Sequence, residues 1–314
     1  MSEIASAARP AEPDWSTVTA EELVAYRDAE NRFRASEAAR ALTGEPDPGA
    51  TIEWHEVTLP GRDLPVRVYR PVGADRGGLP LVLHVHGGGF VGTAVQCDWV
   101  NSHLAARLPA VVVSVEHRLL SPDTPLAAAA DDGWDVLRHV LGRAGQWGVT
   151  PARVALVGES CGALISALSA VRARDAGLEL RAQVLVNPAV DVTETMFDYA
   201  SISRYADTPT LGVPVLRLFH RYAVPPGADA RALSPLYAGD LSGLAPALVV
   251  LPTDDPLADH GRRYAERLRA AGTPVRLTEY PDTGHAFLSL PGLLPQARTA
   301  GAEIREFLRE ALAP

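Results

Sequence analysis

Short apolar, β-branched runs alternate with longer stretches of helix-forming residues through most of this chain. Continuous apolar strands separated by helices are typical of a parallel sheet that is covered on both faces. The pattern therefore predicts an α/β fold with a doubly wound, mostly parallel sheet. The predicted strands lie at 79–86, 110–118, 153–160, 180–188, 246–252 and 274–280, and the predicted helices follow at 98–107, 124–141, 161–170, 259–271 and 296–312.

Two regions near the N-terminus have a different pattern. Residues 51–59 and 64–71 alternate apolar and polar positions, which predicts two strands joined by the turn Gly61-Arg62-Asp63. Residues 19–42 have apolar positions at helical spacing, with Thr17 or Thr19 as the N-cap. We expect one helix there.

Residues 191–226 interrupt the alternation later in the chain. This segment is rich in aromatic residues, is broken by prolines, and is longer than a regular crossover between strands requires. Ligands bind at the strand ends of open α/β sheets, so we interpret it as an insertion over those ends. With residues 1–50 it would form a helical cap on a catalytic domain that spans 51–314. A packed helical layer without a role in recognition is the alternative.

Composition narrows the function classes. The 314 residues carry a net charge of −9, so there is no basic surplus for binding nucleic acid. All 29 basic residues are arginine, which excludes lysine Schiff bases, a Walker lysine and Ser-Lys catalysis. The two cysteines cannot build a disulfide framework, the first residues do not resemble a signal peptide, and no apolar run reaches the length of a membrane span. We therefore expect a cytoplasmic protein without a membrane partner.

The segment 158–162 reads Gly-Glu-Ser-Cys-Gly, a Gly-x-Ser-x-Gly pattern between a predicted strand and a predicted helix. A serine projects from such a tight turn only if the flanking positions carry no side chain. The helix N-terminus that follows offers free backbone amides to a developing oxyanion. Ser160 is therefore the candidate nucleophile. The pentapeptide alone could be an ordinary loop, and the strand and helix around it favour the catalytic interpretation.

Partners for this serine follow later predicted strands. Asp254 and Asp255 come at the end of the strand 246–252, and His285 comes after the last strand. The order nucleophile, acid, base is that of α/β-hydrolases. His285 would take the proton of Ser160, and the ionised carboxylate of Asp255 would orient the imidazole. A purely structural histidine in this loop is the weaker alternative.

A glycine run supplies the second element of an oxyanion hole. His86-Gly87-Gly88-Gly89-Phe90 follows the strand 79–86, and consecutive glycines let backbone amides face a substrate carbonyl without obstruction. The amide of Cys161, the residue after the nucleophile, would add a further donor. A flexible turn is the structural alternative.

Taken together, these motifs resemble the hormone-sensitive-lipase family of bacterial carboxylesterases, which has the α/β-hydrolase fold. The resemblance covers about residue 51 to the C-terminus and rests on five ordered motifs. It implies a triad of Ser160, Asp255 and His285, and it selects Asp255 over Asp254. It also implies an oxyanion hole from Gly87, Gly88, Gly89 and Cys161, a cap, and action on short-chain esters without a cofactor. The motifs are HGGGF (86–90), EHRLLSPDTPLAAAADD (116–132), GESCG (158–162), DPL (255–257) and GHAF (284–287).

The chain departs from the family pattern in two places. Cys161 and Ala163 stand where the family has a small residue and a second glycine, so we expect the Cys161 side chain to narrow the acyl site. The family's Tyr-Arg-Leu-Ala-Pro-Glu element reads His-Arg-Leu-Leu-Ser-Pro-Asp at 117–123. Because that element is mainly structural in the family, we expect altered packing and unaltered chemistry.

Several other side chains are weaker candidates. His84 and His86 lie on one face of a strand, but without a third ligand they indicate a structural network and no metal site. Glu159 would be solvated or form a salt bridge, or else tune the nucleophile. Asp259 would cap the helix that follows Asp255. Aromatic residues that would line the substrate cavity, or equally pack inside the cap, are Phe90, Phe197, Tyr199, Tyr205 and Phe219.

The sequence thus predicts a serine carboxylesterase whose partner is a small-molecule ester, with no cofactor. Two alternatives remain open. One is the same triad used for deacetylation, acyl transfer or a lyase step on a particular metabolite, and the other is a non-catalytic small-molecule receptor on this fold. The oligomeric state is also open, with a homodimer as one candidate.

Overall fold

An eight-stranded sheet forms the centre of the molecule. The computed structural model describes residues 9–74 and 77–314, so the first eight residues of the expected cap segment lie outside the described residues. The strand order is β1-β2-β4-β3-β5-β6-β9-β10, and every neighbouring pair from β4 to β10 is parallel. The strands of this sheet are β1 (Ala50–Leu59), β2 (Arg62–Pro71), β3 (Leu79–Val85), β4 (Val111–Val115), β5 (Val149–Glu159), β6 (Ala182–Val186), β9 (Ala247–Asp254) and β10 (Val275–Gly284).

The only antiparallel pairs of this sheet, among the strands that the structure describes, are β1 with β2 and β2 with β4. Of these strands, β1 and β2 have the alternating pattern, which suits a sheet edge with one solvated face. Helices cover both faces of the sheet: α1 (Ala20–Arg34), α2 (Glu37–Thr43), α3 (Asp98–Arg107), α4 (Leu126–Gly142), α5 (Ala144–Trp147), α6 (Cys161–Asp175), α7 (Ala200–Arg204), α8 (Val213–Ala223), α9 (Ala258–Ala270) and α10 (Pro295–Ala311).

Each central strand contributes to two hydrophobic cores, one on each side of the sheet. In β4, Val111, Val113 and Val115 belong to one core and Val112 to the other, because successive side chains of a strand point to opposite faces. Burying such a side chain contributes about 1.5 to 3 kcal/mol. The predicted doubly wound, mostly parallel sheet is confirmed.

The predicted helix over 19–42 forms as two helices. Thr19 is the N-cap of α1 and shares a capping box with Glu22. The helix ends at Ala35, and the side chain of Ser36 accepts a hydrogen bond from the Ala39 amide to begin α2. Ser36 therefore ends one helix and caps the next, which is a position that serine favours.

The segment 191–226 contains short elements. After a 3₁₀ helix (Glu194–Asp198) come α7, the two-stranded ribbon of β7 (Asp207–Thr208) and β8 (Leu211–Gly212), and α8. Fully buried Asp191 fixes the beginning of the segment, since it accepts hydrogen bonds from Thr193, Thr195, Tyr199 and Tyr237. Over residues 9–74 and 77–314, no helix is both long enough and apolar enough to cross a membrane.

Candidate active site

Ser160 lies in a strained turn between β5 and α6. Its backbone has φ 55° and ψ −119°, a conformation that non-glycine residues rarely adopt. A Cβ atom on Gly158 would come within 2.3 Å of the Gly162 carbonyl oxygen, and one on Gly162 within 2.1 Å of the Val85 oxygen. Both glycines are therefore required by close backbone contacts. The turn presents the Ser160 side chain at the N-terminus of α6.

The structure brings Ser160, His285 and Asp255 together. His285 Nε2 lies 2.8 Å from Ser160 Oγ, and His285 Nδ1 lies 2.8 Å from Asp255 Oδ2. Asp255 is fully buried, and its other oxygen accepts the Leu257 amide at 2.8 Å. His285 follows β10 and Asp255 follows β9, so adjacent parallel strands deliver both groups to one edge of the sheet. The arrangement can pass a proton from the hydroxyl to the imidazole.

The electrostatics of His285 suit a general base. Burial disfavours the protonated imidazole, but the charge and hydrogen bond of Asp255, with a contribution from Glu159, outweigh it and raise the pKa of His285 above its usual 6.5. Asp254 lies outside this arrangement, where its carboxylate accepts a hydrogen bond from Thr253. The selection of Asp255 over Asp254 thus agrees with the geometry.

The glycine loop lies beside the nucleophile. A Cβ on Gly87 would be 3.4 Å from Ser160 Cβ, and Gly88 has φ 82° with no room for a side chain. Within the part of the chain that the structure describes, the backbone amides of Gly87, Gly88, Gly89 and Cys161 donate to no protein acceptor. Free amides next to a serine hydroxyl can stabilise an oxyanion.

Helix α1 and the segment after β4 hold this loop in place. Arg27 donates to the Phe90 carbonyl at 2.8 Å and to the Leu120 carbonyl at 3.0 Å, and Asn31 donates to Gly92 at 3.1 Å. The Leu120 amide donates to the Gly89 carbonyl at 2.7 Å. The loop is therefore fixed through its carbonyl groups, which leaves its amides free.

Three buried histidines pack beneath the loop. His86 stacks on His117 with ring centroids 4.3 Å apart, and His84 hydrogen-bonds Ser114 at 2.9 Å. Burial lowers the pKa of His84 to about 3 and those of His86 and His117 to about 4, so all three are neutral at neutral pH. No group of three His, Cys, Asp or Glu side chains among the described residues could hold a metal ion. His117 replaces the tyrosine of the family pattern and packs in this stack.

A cavity of about 170 Å³ opens onto Ser160 and His285. Phe90 and Phe219 line it, together with Leu211, Val215 and Leu216 of the 191–226 segment. The N-terminal segment lines it as well, through Arg9, Glu12, Trp15, Tyr26 and Arg34. Both segments that were predicted as a cap thus contribute side chains to the cavity.

Three of the aromatic candidates do not line this cavity. Phe197 packs against Arg217 and His220, and Tyr205 contacts Arg204. Tyr199 is buried and donates to Asp191 at 2.8 Å. The expectation that Phe197 and Tyr205 contact substrate is therefore corrected, because the side chains that they pack against lie outside the lining of this cavity.

Three further expectations are refined. Cys161, whose side chain was expected to narrow the acyl site, lines the cavity, and burial raises the pKa of its thiol to about 12. Glu159 is not solvated, since it is 3% exposed, and it forms no ion pair with a described residue; its carboxyl group accepts a hydrogen bond from Ser289. Leu257, and not Asp259, occupies the N-cap of α9, while Asp259 accepts from the Ser201 amide.

Sequence reasoning did not identify Arg27 and Asn31 as supports of the glycine loop. A signal was present, since the two polar residues are four positions apart and so share a face of α1. Their partner, however, is a loop about sixty residues away, as the separations of 63 and 61 show. Local patterns do not encode such a pairing.

Comparison with known proteins gives consistent results. The model of a family described as alpha/beta hydrolase fold matches residues 82–289. The chain is 38% identical over 277 residues to carboxylesterase NlhH of Mycobacterium tuberculosis, which covers 84% of each protein. It is 32% identical to an ethyl acetate hydrolase of Pseudomonas putida, with 90% of each covered. Among solved structures, the ester-hydrolase EH1AB1 from the metagenome of Lake Arreo superposes with a TM-score of 0.86 at 32% identity and covers 97% of this chain and 94% of that one.

Proposed function

This chain belongs to the hormone-sensitive-lipase-like family of bacterial carboxylesterases and is a carboxylic ester hydrolase, and we propose that Ser160, His285 and Asp255 are its catalytic triad. The observation that carries the proposal is the continuous line of contacts from Asp255 through His285 to Ser160, with both links at 2.8 Å. Such an arrangement activates a serine hydroxyl.

In the proposed reaction, Ser160 Oγ attacks the ester carbonyl while His285 Nε2 takes its proton. The carbonyl oxygen becomes an oxyanion, which accepts hydrogen bonds from the amides of the Gly87–Gly89 loop and of Cys161. Each donor of this kind contributes about 2.7 to 4 kcal/mol of transition-state stabilisation. The imidazolium then protonates the departing alcohol, and an acyl-enzyme remains on Ser160.

The second half of the reaction uses the same groups. His285 removes a proton from a water molecule that attacks the acyl carbonyl, and the resulting imidazolium returns the proton to Ser160 as the acid leaves. Asp255 keeps the imidazole in one orientation and stabilises its charged form in both halves. Every step is supplied by the chain, a water molecule and the ester.

We further propose that the acyl group is small. The cavity at Ser160 is about 170 Å³ and is lined by Phe90, Phe219 and Leu216. A similar protein is named an ethyl acetate hydrolase and another an acetyl-hydrolase. We also propose a cytoplasmic location, because both cysteines are buried free thiols, which suits a reducing compartment.

The test is a series of p-nitrophenyl esters of graded acyl length, measured with wild type and Ser160→Ala. We expect kcat/KM to be highest for acetate to butyrate and to fall steeply by decanoate. Ser160→Ala should lose roughly a factor of 10⁶ in kcat. Wild-type turnover by the alanine variant would show that another group is the nucleophile, and a preference for decanoate would contradict the small acyl site.

A further inference from the structure

Glu159, the residue before the nucleophile, is an unusually placed carboxyl group. It ends β5, is 3% exposed and lines the catalytic cavity. Its Oε2 accepts a hydrogen bond from Ser289 Oγ at 3.0 Å, whereas its buried Oε1 has no partner among the described residues. Burying a carboxyl group with an unpaired oxygen is unfavourable. Such groups concentrate at functional sites, where a neighbour offsets the cost.

The partner of Glu159 belongs to the segment that carries the base. Ser289 ends the 3₁₀ helix Phe287–Ser289, which begins two residues after His285. The intervening Ala286 has a left-handed backbone, with φ 60°. The bond between Ser289 and Glu159 therefore joins the strand of the nucleophile to the segment after the base, across 130 residues of chain. It limits how far that segment can move His285 from Ser160.

Glu159 and His285 act on each other electrostatically. Burial raises the pKa of Glu159 above its usual value, while the Ser289 hydrogen bond and the nearby charges of His285 and Arg34 act against the shift. Glu159 in turn contributes to the raised pKa of His285, second among charged groups to Asp255. Glu159 also acts on the buried Cys97 thiol, whose pKa is raised by burial and, to a smaller extent, by the charge of Glu159.

We propose that Glu159 and Ser289 are a positioning pair for the general base: their hydrogen bond fixes the segment after His285, and the Glu159 carboxylate stabilises the imidazolium that forms during turnover. The inference rests on the proposed roles of Ser160 and His285. Glu159 would then complement Asp255, which binds the other ring nitrogen of His285. Neither member of the pair touches the substrate carbonyl in this account.

Two substitutions separate the two contributions. Glu159→Gln keeps an acceptor for Ser289 and almost the same volume but removes the charge. We expect kcat to fall about tenfold. The acidic limb of the pH profile of kcat/KM should move to lower pH by about half a pH unit or more, because the imidazolium loses an attractive charge. Ser289→Ala keeps the charge but removes the bond. We expect kcat to fall about threefold to tenfold, with no downward shift of that limb.

The measurement is the pH dependence of kcat and kcat/KM for p-nitrophenyl acetate. Glu116→Gln is the matched control, because Glu116 is another largely buried carboxylate, held by the Ala94 amide at 2.7 Å, and the causes of the His285 shift do not include it. This variant should keep the wild-type acidic limb. Ser289→Thr retains a hydroxyl and should restore most of the kcat that Ser289→Ala loses.

A Glu159→Gln enzyme with the wild-type acidic limb and kcat would overturn the electrostatic role. Wild-type kcat in Ser289→Ala would overturn the tether, and this variant with Ser289→Thr decides the proposal if Glu159→Gln does not fold. Failure of the triad is distinguishable, since Ser160→Ala would then remain active, whatever the two variants of the pair do.

Discussion

At the residue scale, the site depends on one imidazole held between a hydroxyl and a carboxylate. His285 is 6% exposed, and both of its ring nitrogens have partners. Asp255 acts mainly on the charged form of the ring, since it raises the pKa of His285 against the effect of burial. A base whose pKa lies close to the working pH combines the correct protonation state with sufficient basicity.

The sign of this shift predicts the pH dependence of the free enzyme. Activity requires neutral His285, so kcat/KM should fall as the pH decreases through a limb above 6.5, the ordinary histidine value. In Asp255→Asn the imidazolium loses its main attraction, so the limb should move to lower pH. The same substitution should lower kcat by a factor of about 10⁴. Asp254→Asn is the control and should resemble wild type. An unshifted limb in Asp255→Asn would contradict the role of Asp255.

Ser160 and His285 were predictable from local signals, whereas the choice of Asp255 over Asp254 came from the resemblance to the family. Gly158 and Gly162 frame Ser160, and Asp255 and His285 each follow an apolar strand. Glu159 had no such signal, since its hydrogen-bond partner Ser289 lies 130 positions away. For the same reason, only some of the aromatic candidates line the cavity. Phe90 adjoins the glycine loop in sequence, whereas the side of the cap that Phe197 occupies is decided by packing.

At the scale of elements, helix α1 acts as a brace for the oxyanion loop. Arg27 reaches two carbonyl groups of different segments, those of Phe90 and Leu120. Because the loop is held by its carbonyls, its amides can remain unpaired and aimed at a substrate oxygen. This arrangement couples the N-terminal segment to the chemistry without any contact between Arg27 and the reacting atoms.

Removal of this brace should therefore affect turnover. In Arg27→Ala the loop loses the hydrogen bond to the Phe90 carbonyl, and the adjoining segment loses the one to Leu120. Misplaced amides stabilise the oxyanion less. We expect kcat for p-nitrophenyl acetate to fall about tenfold, with a smaller change in KM. Arg32→Ala, an exposed position on the same helix, is the matched control and should leave kcat unchanged. Full turnover by Arg27→Ala would show that the loop needs no support from α1.

The boundaries of helices were predictable only where the capping residues lie close together in the sequence. Thr19 and Glu22, which form the capping box, are only three positions apart, and α1 begins directly after Thr19. The break at Ser36 was missed, because the apolar spacing continues through it and the cap depends on a bond to Ala39. Asp259 was assigned as a cap from its residue type, yet it lies inside α9 and accepts from Ser201, 58 positions away.

At the scale of the whole molecule, the sheet places distant motifs at one edge. The loops after β3, β5, β9 and β10 supply the glycines, the serine, the acid and the base. Local patterns predicted the parallel strands and their alternation with helices. These local patterns do not predict the strand order, because the placement of β4 outside β3 depends on crossover packing over the entire sheet.

The buried histidines predict how stability depends on pH. Burial lowers the pKa of His84 to about 3 and those of His86 and His117 to about 4, whereas the ordinary value is 6.5. The unfolded chain therefore binds more protons below pH 6.5, so stability is retained above that pH and lost as the pH falls towards 4. Each imidazole contributes a loss of about 1.4 kcal/mol per pH unit in this range. His285 acts in a different range, because its pKa is raised: its contribution to stability is fully present below pH 6.5 and is lost as the pH rises above that value.

Urea unfolding of wild type at about pH 7.5 and about pH 5 measures this effect. We expect a lower midpoint at the acidic pH and a smaller drop in His117→Gln, which lacks one of these groups. His55→Ala is the control, since the His55 side chain is 40% exposed, and it should show the wild-type drop. A midpoint that does not fall on acidification would contradict the buried, neutral state of these rings.

The most direct measurement of the central claim is the site at which a fluorophosphonate attaches covalently. Peptide mass spectrometry of wild type treated with this reagent should locate one adduct on Ser160, with loss of esterase activity in proportion to labelling. Ser160→Ala should remain unlabelled. An adduct on Cys161 or on another residue, or an active enzyme that resists the reagent, would contradict the account.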